Sequence, residues 1–426
     1  MFGRIPLGWL QLKAQKLRLF AAVTGITFAV ILIFVQLEFR EALFVSAVRY
    51  HTAMDYDLAM LSPKTDFMVS SKQFPRARLY QTLGVDGVAS ATAVYMRLVS
   101  WRNPVDPANA RNILAIGFDP AEPGFERLLS KEQMEAIKLP DQVIFDRRGR
   151  DEYGPVREML DAGEPVSVEI NDRRVSIAGM YEVGTSFGLD GGVITSDLNF
   201  LRLLPTRQKA AIDFGLIKLE PGQDATEVQA RIKAVIPLDV RVLTRDEFMD
   251  LEIEYWNKTT PIGYIFAFGA VMGLIVGLII VYQILFSDVQ DHMSEYATLM
   301  AMGYTHGYLR VVVLQEAIIL GVLGFLPGLG IAYLVFSRGA DATRLPLEMS
   351  VQSALGVFVL TLAMCAGSGL LALRKLRAVD PAAVFSWTPT FAAPSRWCRI
   401  PSARARCASR CCSTSPRASR PARLSS

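Results

Sequence analysis

Residues 262–286 read IGYIFAFGAVMGLIVGLIIVYQILF, 25 positions without a charge. A helix of that length is about 37 Å long, more than the ~30 Å hydrocarbon core of a bilayer. Lipid offers no water to backbone N–H and C=O groups, so such a stretch must satisfy them internally, as a helix. Three more segments pass the same test. Leu19–Leu37 and Ser350–Leu373 carry no charge, and Val311–Ser337 is apolar except for Gln315 and Glu316. The composition agrees: 51% of the 426 residues are hydrophobic and the mean hydropathy is +0.28, which points to membrane spans before any other class. The first segment does not read as a cleaved signal peptide. Its apolar run is long, and QLEFREAL follows it without a small-x-small site.

Four crossings return the chain to the side on which it began. Arg4, Lys13, Lys16 and Arg18 precede the first, and Arg374, Lys375 and Arg377 follow the last. Both ends are therefore expected in the cytoplasm. The fold expected is four transmembrane α-helices with a large extracytoplasmic mixed α+β domain between helices one and two. The expected map is a cytoplasmic segment at 1–18, helices at 19–37, 262–286, 311–337 and 350–373, and the α+β domain with stalk helices at 38–261. A cytoplasmic coupling helix and loop takes 287–310, a short outer loop 338–349, and a cytoplasmic end 374–388.

Inside the domain, YDLAMLS, RNILAIGFD, DQVIFD, AIDFGLIKLE and DVRVLT alternate like strands. EPVSVEINDRRVSIAGMYEVG reads as a hairpin turning at Asn171-Asp172. Residues 75–83, 224–235 and 245–258 read as helices, with Asp224 and Thr244 as N-caps. The last of them runs toward the second membrane helix and breaks near Pro261. The first membrane helix is expected to continue outward as a stalk through EFREALFVSAVRY.

Chemistry-bearing motifs are sparse. The sequence has no G-x-x-x-x-G-K-[ST] phosphate loop, no H-E-x-x-H and no paired C-x-x-C. His51, His292 and His306 are the three histidines, too few in any one place for a zinc site. No cofactor, metal or catalytic residue is expected, and the net charge of +4 gives no sign of a nucleic-acid partner. Cys365 reads as a small apolar residue in the fourth helix, and the 38–261 domain has no cysteine to bridge. The stretch 390–426 holds eight Arg, eight Ser and no Lys, Asp or Glu. It reads as a disordered or out-of-frame extension in preference to a basic tail on anionic lipid, and the whole 389–426 tail is expected to be disordered.

Packing marks are clearer. Gly269, Gly273 and Gly277 fall on one face of the second helix, and Gly324 and Gly328 on one face of the third. Such strips admit a neighbouring helix closely, without saying which. Pro327 is expected to kink the third helix. Glu316 sits just inside the cytoplasmic end of that helix. A carboxylate there must face protein or snorkel, as a membrane-edge anchor or as a coupling residue.

Between the second and third helices, Ser287 with Gln290 has the form of a capping box. Val289, Met293, Tyr296 and Met300 then recur three and four apart, until Gly303 ends the run as a C-cap. Thr305 can cap the helix that follows. This short helix is acidic, which suits a groove on a partner protein better than an anionic membrane surface.

The residues EYATLMAMGYTHGYLRVVVLQEAIILGVLGFLPGLGIAY at 295–333 and LRKLRAVDPAAVF at 373–385 resemble permease subunits of ABC transporters of the macrolide-exporter and cell-division superfamily. IPLGWLQLKAQKLRLFAAVTGITFAVILIFVQLEFREALF at 5–44, with DLAMLSP at 57–63, is similar to the permeases of the heterocyst glycolipid exporter type. The resemblance implies a bacterial inner-membrane homodimer. It implies a separate ATPase subunit docked on the 287–310 loop, with ATP bound by that partner. It also implies a membrane-fusion adaptor and, in two-membrane bacteria, an outer-membrane duct. The family's coupling glutamate falls on Glu295, its glycine on Gly303 and its second glutamate on Glu316. The cargo so implied is a lipid, a glycolipid or another amphipathic substrate. The alternatives within the superfamily are lipoprotein release and a non-transporting role that transmits force to a cell-wall hydrolase; a membrane sensor that binds a ligand is a third class.

Overall fold

The computed structural model describes residues 15–343, 345–347 and 349–376. The expected tail at 389–426 and most of the two expected cytoplasmic end segments lie outside the described residues. Four helices are long and apolar enough to cross a membrane: span one (Lys16–Ala47), span two (Pro261–Asp291), span three (His306–Thr343) and span four (Val351–Leu376). The first three contain the apolar segment seen in the sequence and extend past it, while span four starts one residue later, at Val351, and runs on to Leu376. Span one continues as the anticipated stalk and is followed at once by a short helix, Arg49–Ala53. Span two begins with Pro261 in its first turn, where a missing N–H costs nothing. Pro327 lies inside span three.

Span one is the element on which the membrane bundle is assembled. Ala22, Ile26, Ala29, Val30, Ile33 and Phe34 are fully buried, a stripe spaced four, three, one, three and one residues apart, as one helix face requires. Both glycine strips face this helix. A Cβ on Gly269 would meet Gln36 at 2.4 Å, one on Gly273 would meet Ile33 at 3.3 Å, and one on Gly277 would meet Ala29 at 2.8 Å. A Cβ on Gly324 would meet Ile26 at 2.5 Å, and one on Gly328 would meet Val30 at 2.7 Å. Thr27 Oγ1 donates to the Gly324 carbonyl at 3.0 Å across the same seam. Span four closes the bundle. Its Met364 Sδ would be 2.5 Å from a Gly277 Cβ, and Ser368 Oγ donates to the Leu278 carbonyl at 3.1 Å. Cys365 is buried beside Gly321, the apolar role expected of it.

Between spans one and two lies a mixed α+β domain. Its main sheet holds β1 (Leu58–Leu61), β3 (Val88–Arg102), β4 (Ala110–Phe118), β5 (Gln142–Asp146), β6 (Ser167–Ile170), β7 (Arg173–Tyr181), β8 (Gly192–Ser196), β10 (Phe214–Leu219) and β11 (Arg241–Thr244). The order is β11-β1-β10-β3-β4-β8-β5-β7-β6, and β6 pairs back onto the far end of β3 through Trp101 and Ile170. Six of the strands thus close on themselves. Two apolar clusters cover the sheet, one around Trp101, Phe145, Tyr153 and Phe200, the other around Tyr56, Phe118, Phe125 and Phe214. A second, two-stranded sheet joins β2 (Phe74–Pro75) to β9 (Ala211–Ile212).

The hairpin turns where expected. Asn171 and Asp172 both adopt positive φ, 47° and 61°, the geometry that a two-residue primed turn demands and that Asn and Asp tolerate. Asp224 and Thr244 cap their helices, the latter with Glu247 in a full capping box. Two expectations are corrected. AIDFGLIKLE is not one strand: it breaks at Asp213, whose carboxylate accepts from Met96 N–H at 2.8 Å and pairs with Arg207. The 245–258 helix ends at Glu254, and a π turn over Tyr255–Thr259 leads to Pro261. The longest strand, β3, was not anticipated. Ala91–Met96 are buried without alternation, because both faces of the sheet are covered there.

The bundle seam predicts a contrast between two glycines of the same helix. Gly324→Val should lower the thermal midpoint of the purified chain by several degrees. Gly330→Val, where an added Cβ meets nothing within 4 Å, should shift it far less. Equal shifts from both would mean that span one does not pack on this strip.

Candidate functional site

The linker between spans two and three starts later than its sequence suggests. Ser287 and Gln290 lie inside span two, which runs on to Asp291, so the expected capping box does not form. No breaker stands between Phe286 and Asp291, and span two also gains a partner there. Arg18 Nη1 of span one reaches Asp288 Oδ1 at 3.4 Å, and Nη2 pairs with Asp291. His292 ends the helix, with its N–H on the Asp288 carbonyl at 3.1 Å and its Nδ1 3.6 Å from Asp288 Oδ1.

A linker helix, Met293–Ala301, follows. Its end is a glycine cap. Gly303 has φ +94°, Met302 N–H bonds the Thr298 carbonyl at 3.0 Å, and Tyr304 N–H bonds the Leu299 carbonyl at 3.2 Å. The second bond spans five residues, the Schellman closure that a left-handed glycine permits. A Cβ on Gly303 would meet nothing within 4 Å; the position is constrained by its backbone alone.

The apolar stripe of this linker faces the chain's own spans. Val289 is fully buried and Tyr296 is 3% exposed, and both pack with Val313 of span three, beside Leu299 and Leu373. Met293 is half-buried. The side chain of Met300 lies outside the described residues. Val289 and Tyr296 therefore cannot form a docking face for a partner. Periodicity identified the buried side of the helix, but not what covers it. The opposite side is open. Ser294, Glu295, Thr298 and Ala301 are exposed, as are Met302 (64%) and Tyr304 (44%). The Tyr304 ring lies 4.9 Å from that of Tyr308.

Glu316 is 1% exposed and faces protein, with its carboxyl against that of Asp288 and in the field of Arg18. Arg18, Asp288, Asp291, His292 and Glu316 thus join three spans at the end of the bundle that carries the linker. In the sequence Arg18 reads only as a flanking charge. Nothing local in the chain signals that residues 270 positions apart meet.

At the other end of the bundle, the stalk is fastened to the α+β domain. Tyr50 and Tyr181 hydroxyls meet at 3.0 Å, and Arg49 Nη1 donates to the Val183 carbonyl at 3.2 Å. Arg245 Nη2 donates to the carbonyls of His51 and Thr52, each at 3.0 Å. His51 is fully buried, with Nδ1 2.9 Å from Tyr56 Oη and its ring against Phe248. Burial pushes the Tyr50 and Tyr181 phenols well above their ordinary pKa, so they meet as neutral groups. Burial also raises the Asp146 carboxyl beneath them, against the pull of N–H groups from Gly184, Arg148 and Val183. Span two enters its own junction through Tyr255, stacked on Phe67 at 4.1 Å.

Residues 267–381 match the family model described as FtsX-like permease C-terminal. The match takes in most of span two, the linker, span three and span four. No curated protein matches the chain. Among solved structures, the extracellular domain of the noncanonic ABC-type transporter YknZ from Gram-positive bacteria is similar, with 12% identity and a TM-score of 0.31, covering 44% of this chain and 100% of that one. The periplasmic region of MacB from Actinobacillus actinomycetemcomitans is similar with 11% identity and a TM-score of 0.33, covering 47% and 92%. With four apolar helices and a permease-like C-terminal segment, the chain is a multi-pass membrane protein.

The charge cluster carries its own prediction. Arg18→Gln leaves Asp288 buried without its cation, a change that costs about 3 kcal/mol in comparable buried pairs. The variant should lose several degrees of thermal midpoint, and Asp288→Asn in the same chain should recover most of the loss. If the double variant is no more stable than the single, Arg18 does not hold Asp288.

Proposed function

We propose that the chain is the transmembrane permease subunit of an ABC-type export system in a bacterial inner membrane. It couples ATP hydrolysis by a separate subunit to movement of its α+β domain outside the cytoplasm. The basic flanks of the bundle support a cytoplasmic position for both termini, and with them for the linker helix. The cargo is a lipid, glycolipid or similar amphiphile, passed on with a membrane-fusion adaptor, and the working unit is a homodimer. The observation that carries this reading is the linker helix itself. It is short and half-exposed, and buried side chains tie it to spans two and three, inside the segment that matches the permease family model.

The exposed side of that helix is the docking face. Glu295, Thr298, Met302 and Tyr304 meet the ATPase, while Val289 and Tyr296 carry the resulting push inward. Burying one large apolar side chain is worth about 1.5–3 kcal/mol, less the ordering costs of association. Two such contacts are enough to set the strength of docking. Gly303 fixes the angle at which the docked helix meets span three.

Three outcomes follow. The purified chain alone should hydrolyse no ATP; saturable hydrolysis by a clean preparation would sink the division of labour. Met302→Asp with Tyr304→Asp should weaken ATPase co-purification tenfold or more with the thermal midpoint of the permease unchanged. Retention of wild-type affinity by that pair would show that docking lies elsewhere. Gly303→Val strains a left-handed position by about 1–2 kcal/mol. It should keep most ATPase binding but separate hydrolysis from export in reconstituted vesicles; tight coupling in this variant would remove the glycine from the mechanism.

A further inference from the structure

A cavity of about 640 Å³ opens where span one leaves its apolar stretch. One wall is the stalk face carrying Glu38, Glu41 and Arg49, and the other is the start of span four with Gln352 and Ser353. The stalk residues follow helical spacing. Glu38 and Arg49 are eleven residues apart, or about 16 Å along the axis, so the acids lie at the membrane end and the arginine at the domain end. Arg49 is already engaged, donating to the Val183 carbonyl.

Glu38 is the unusual member. It is 3% exposed, yet it lines the cavity. Its carboxyl meets the Ser353 hydroxyl, while Oε1 has no hydrogen-bond partner. Glu41 stands close enough to add its negative field. No ion pair joins either acid to a cation among the described residues. A buried carboxylate oxygen without a donor is costly. Here the orphaned atom belongs to a cavity of the volume that holds a drug-sized ligand. Oxygen acceptors and a concentrated negative field select a compact cation with several N–H donors. An ammonium group has three and no acceptor.

The height of the cavity narrows the ligand further. Leu37 ends the uncharged run of span one and Glu38 follows it, so the carboxylate stands where hydrocarbon gives way to headgroups. On span four, Leu355 follows Ser353 by two residues and is 60% exposed. An alkyl chain can lie along that helix while its polar end enters the cavity.

We propose that this cavity binds the ammonium group of an amphiphile, with Glu38 as the principal acceptor, Glu41 as the second charge and Ser353 as the orienting hydroxyl. The proposal deepens the export reading by naming the charge of the cargo headgroup and rests on that reading for the word cargo; the binding itself needs no ATPase. Two sources share this chemistry: an ethanolamine phospholipid of the membrane and an amine-bearing cargo that lacks phosphate.

The test uses the full chain in neutral detergent, titrated with dodecylammonium, lysophosphatidylethanolamine and lysophosphatidylglycerol and followed by calorimetry. Dodecylammonium should bind saturably, at least tenfold more tightly than lysophosphatidylglycerol. Glu38→Gln should weaken it tenfold or more, while Glu38→Asp keeps most of the affinity. Circular dichroism and thermal midpoint identify any variant that fails to fold, and Glu41→Gln, on an exposed residue, gives an independent loss of a few-fold. Comparable binding of lysophosphatidylethanolamine assigns the site to a membrane phospholipid; binding of dodecylammonium alone assigns it to amine-bearing cargo. Both outcomes support an ammonium site. Equal affinity for the anionic lysolipid, or unchanged affinity in Glu38→Gln, overturns it. Failure here would leave ATPase docking untouched, whereas loss of the docking result would leave an ammonium site without an exporter around it.

Discussion

The bundle depends on one steric condition: span one lies closer to spans two and three than any side chain larger than hydrogen allows along two strips. Helices in lipid gain little from hiding apolar surface, since the solvent is as apolar as they are. What holds them is contact area, and contact area requires backbones to come near. Gly269, Gly273 and Gly277 provide this on one side of span one, and Gly324 and Gly328 on the other. Span one is thus the shared neighbour of spans two and three, and span four fills the remaining groove with Met364, Cys365 and Ser368.

That arrangement explains the placement of the polar contacts. A charged group inside a membrane bundle is stable only with a partner, and the charged contacts described above lie at the two ends of the seam. At one end Arg18 gathers Asp288 and Asp291, with Glu316 against Asp288. At the other, the stalk is fixed to the α+β domain by Tyr50–Tyr181, Arg49–Val183 and Arg245–His51. Between them span one is a continuous helix of 32 residues. The outer contacts lie on the short helix Arg49–Ala53, just past the break at Val48, so span one is held directly at its inner end and through that short helix at its outer end.

Much of this was legible in the sequence, and the part that was not has identifiable causes. The four spans, the stalk, the hairpin at Asn171-Asp172, the caps at Asp224 and Thr244 and the left-handed Gly303 all follow from local composition or backbone preference, and local signals survive folding. The glycine strips were visible, but their partner was not, since spacing describes one surface and packing needs two. β3 escaped because Ala91–Met96 are covered on both faces and carry no alternation. The apolar stripe of the linker is legible, but its neighbour is not. Val289 and Tyr296 have the spacing of a docking face, but Val313 of the same chain occupies it. Arg18 could be read as a topogenic charge without hint of the acids it would meet.

The corrected orientation of the linker changes what its side chains are for. A stripe buried in a partner serves recognition; one buried against span three serves stiffness. With Val289 and Tyr296 inside, the helix cannot rock on its apolar face without disturbing span three. Met302 and Tyr304 flank Gly303, and the glycine is where the chain changes direction from the linker to span three. Under the proposed docking, a partner gripping these two residues acts on the corner where the linker passes into span three. Under the proposed docking, the exposed residues have only recognition to supply, because Val289 and Tyr296 are already buried against Val313.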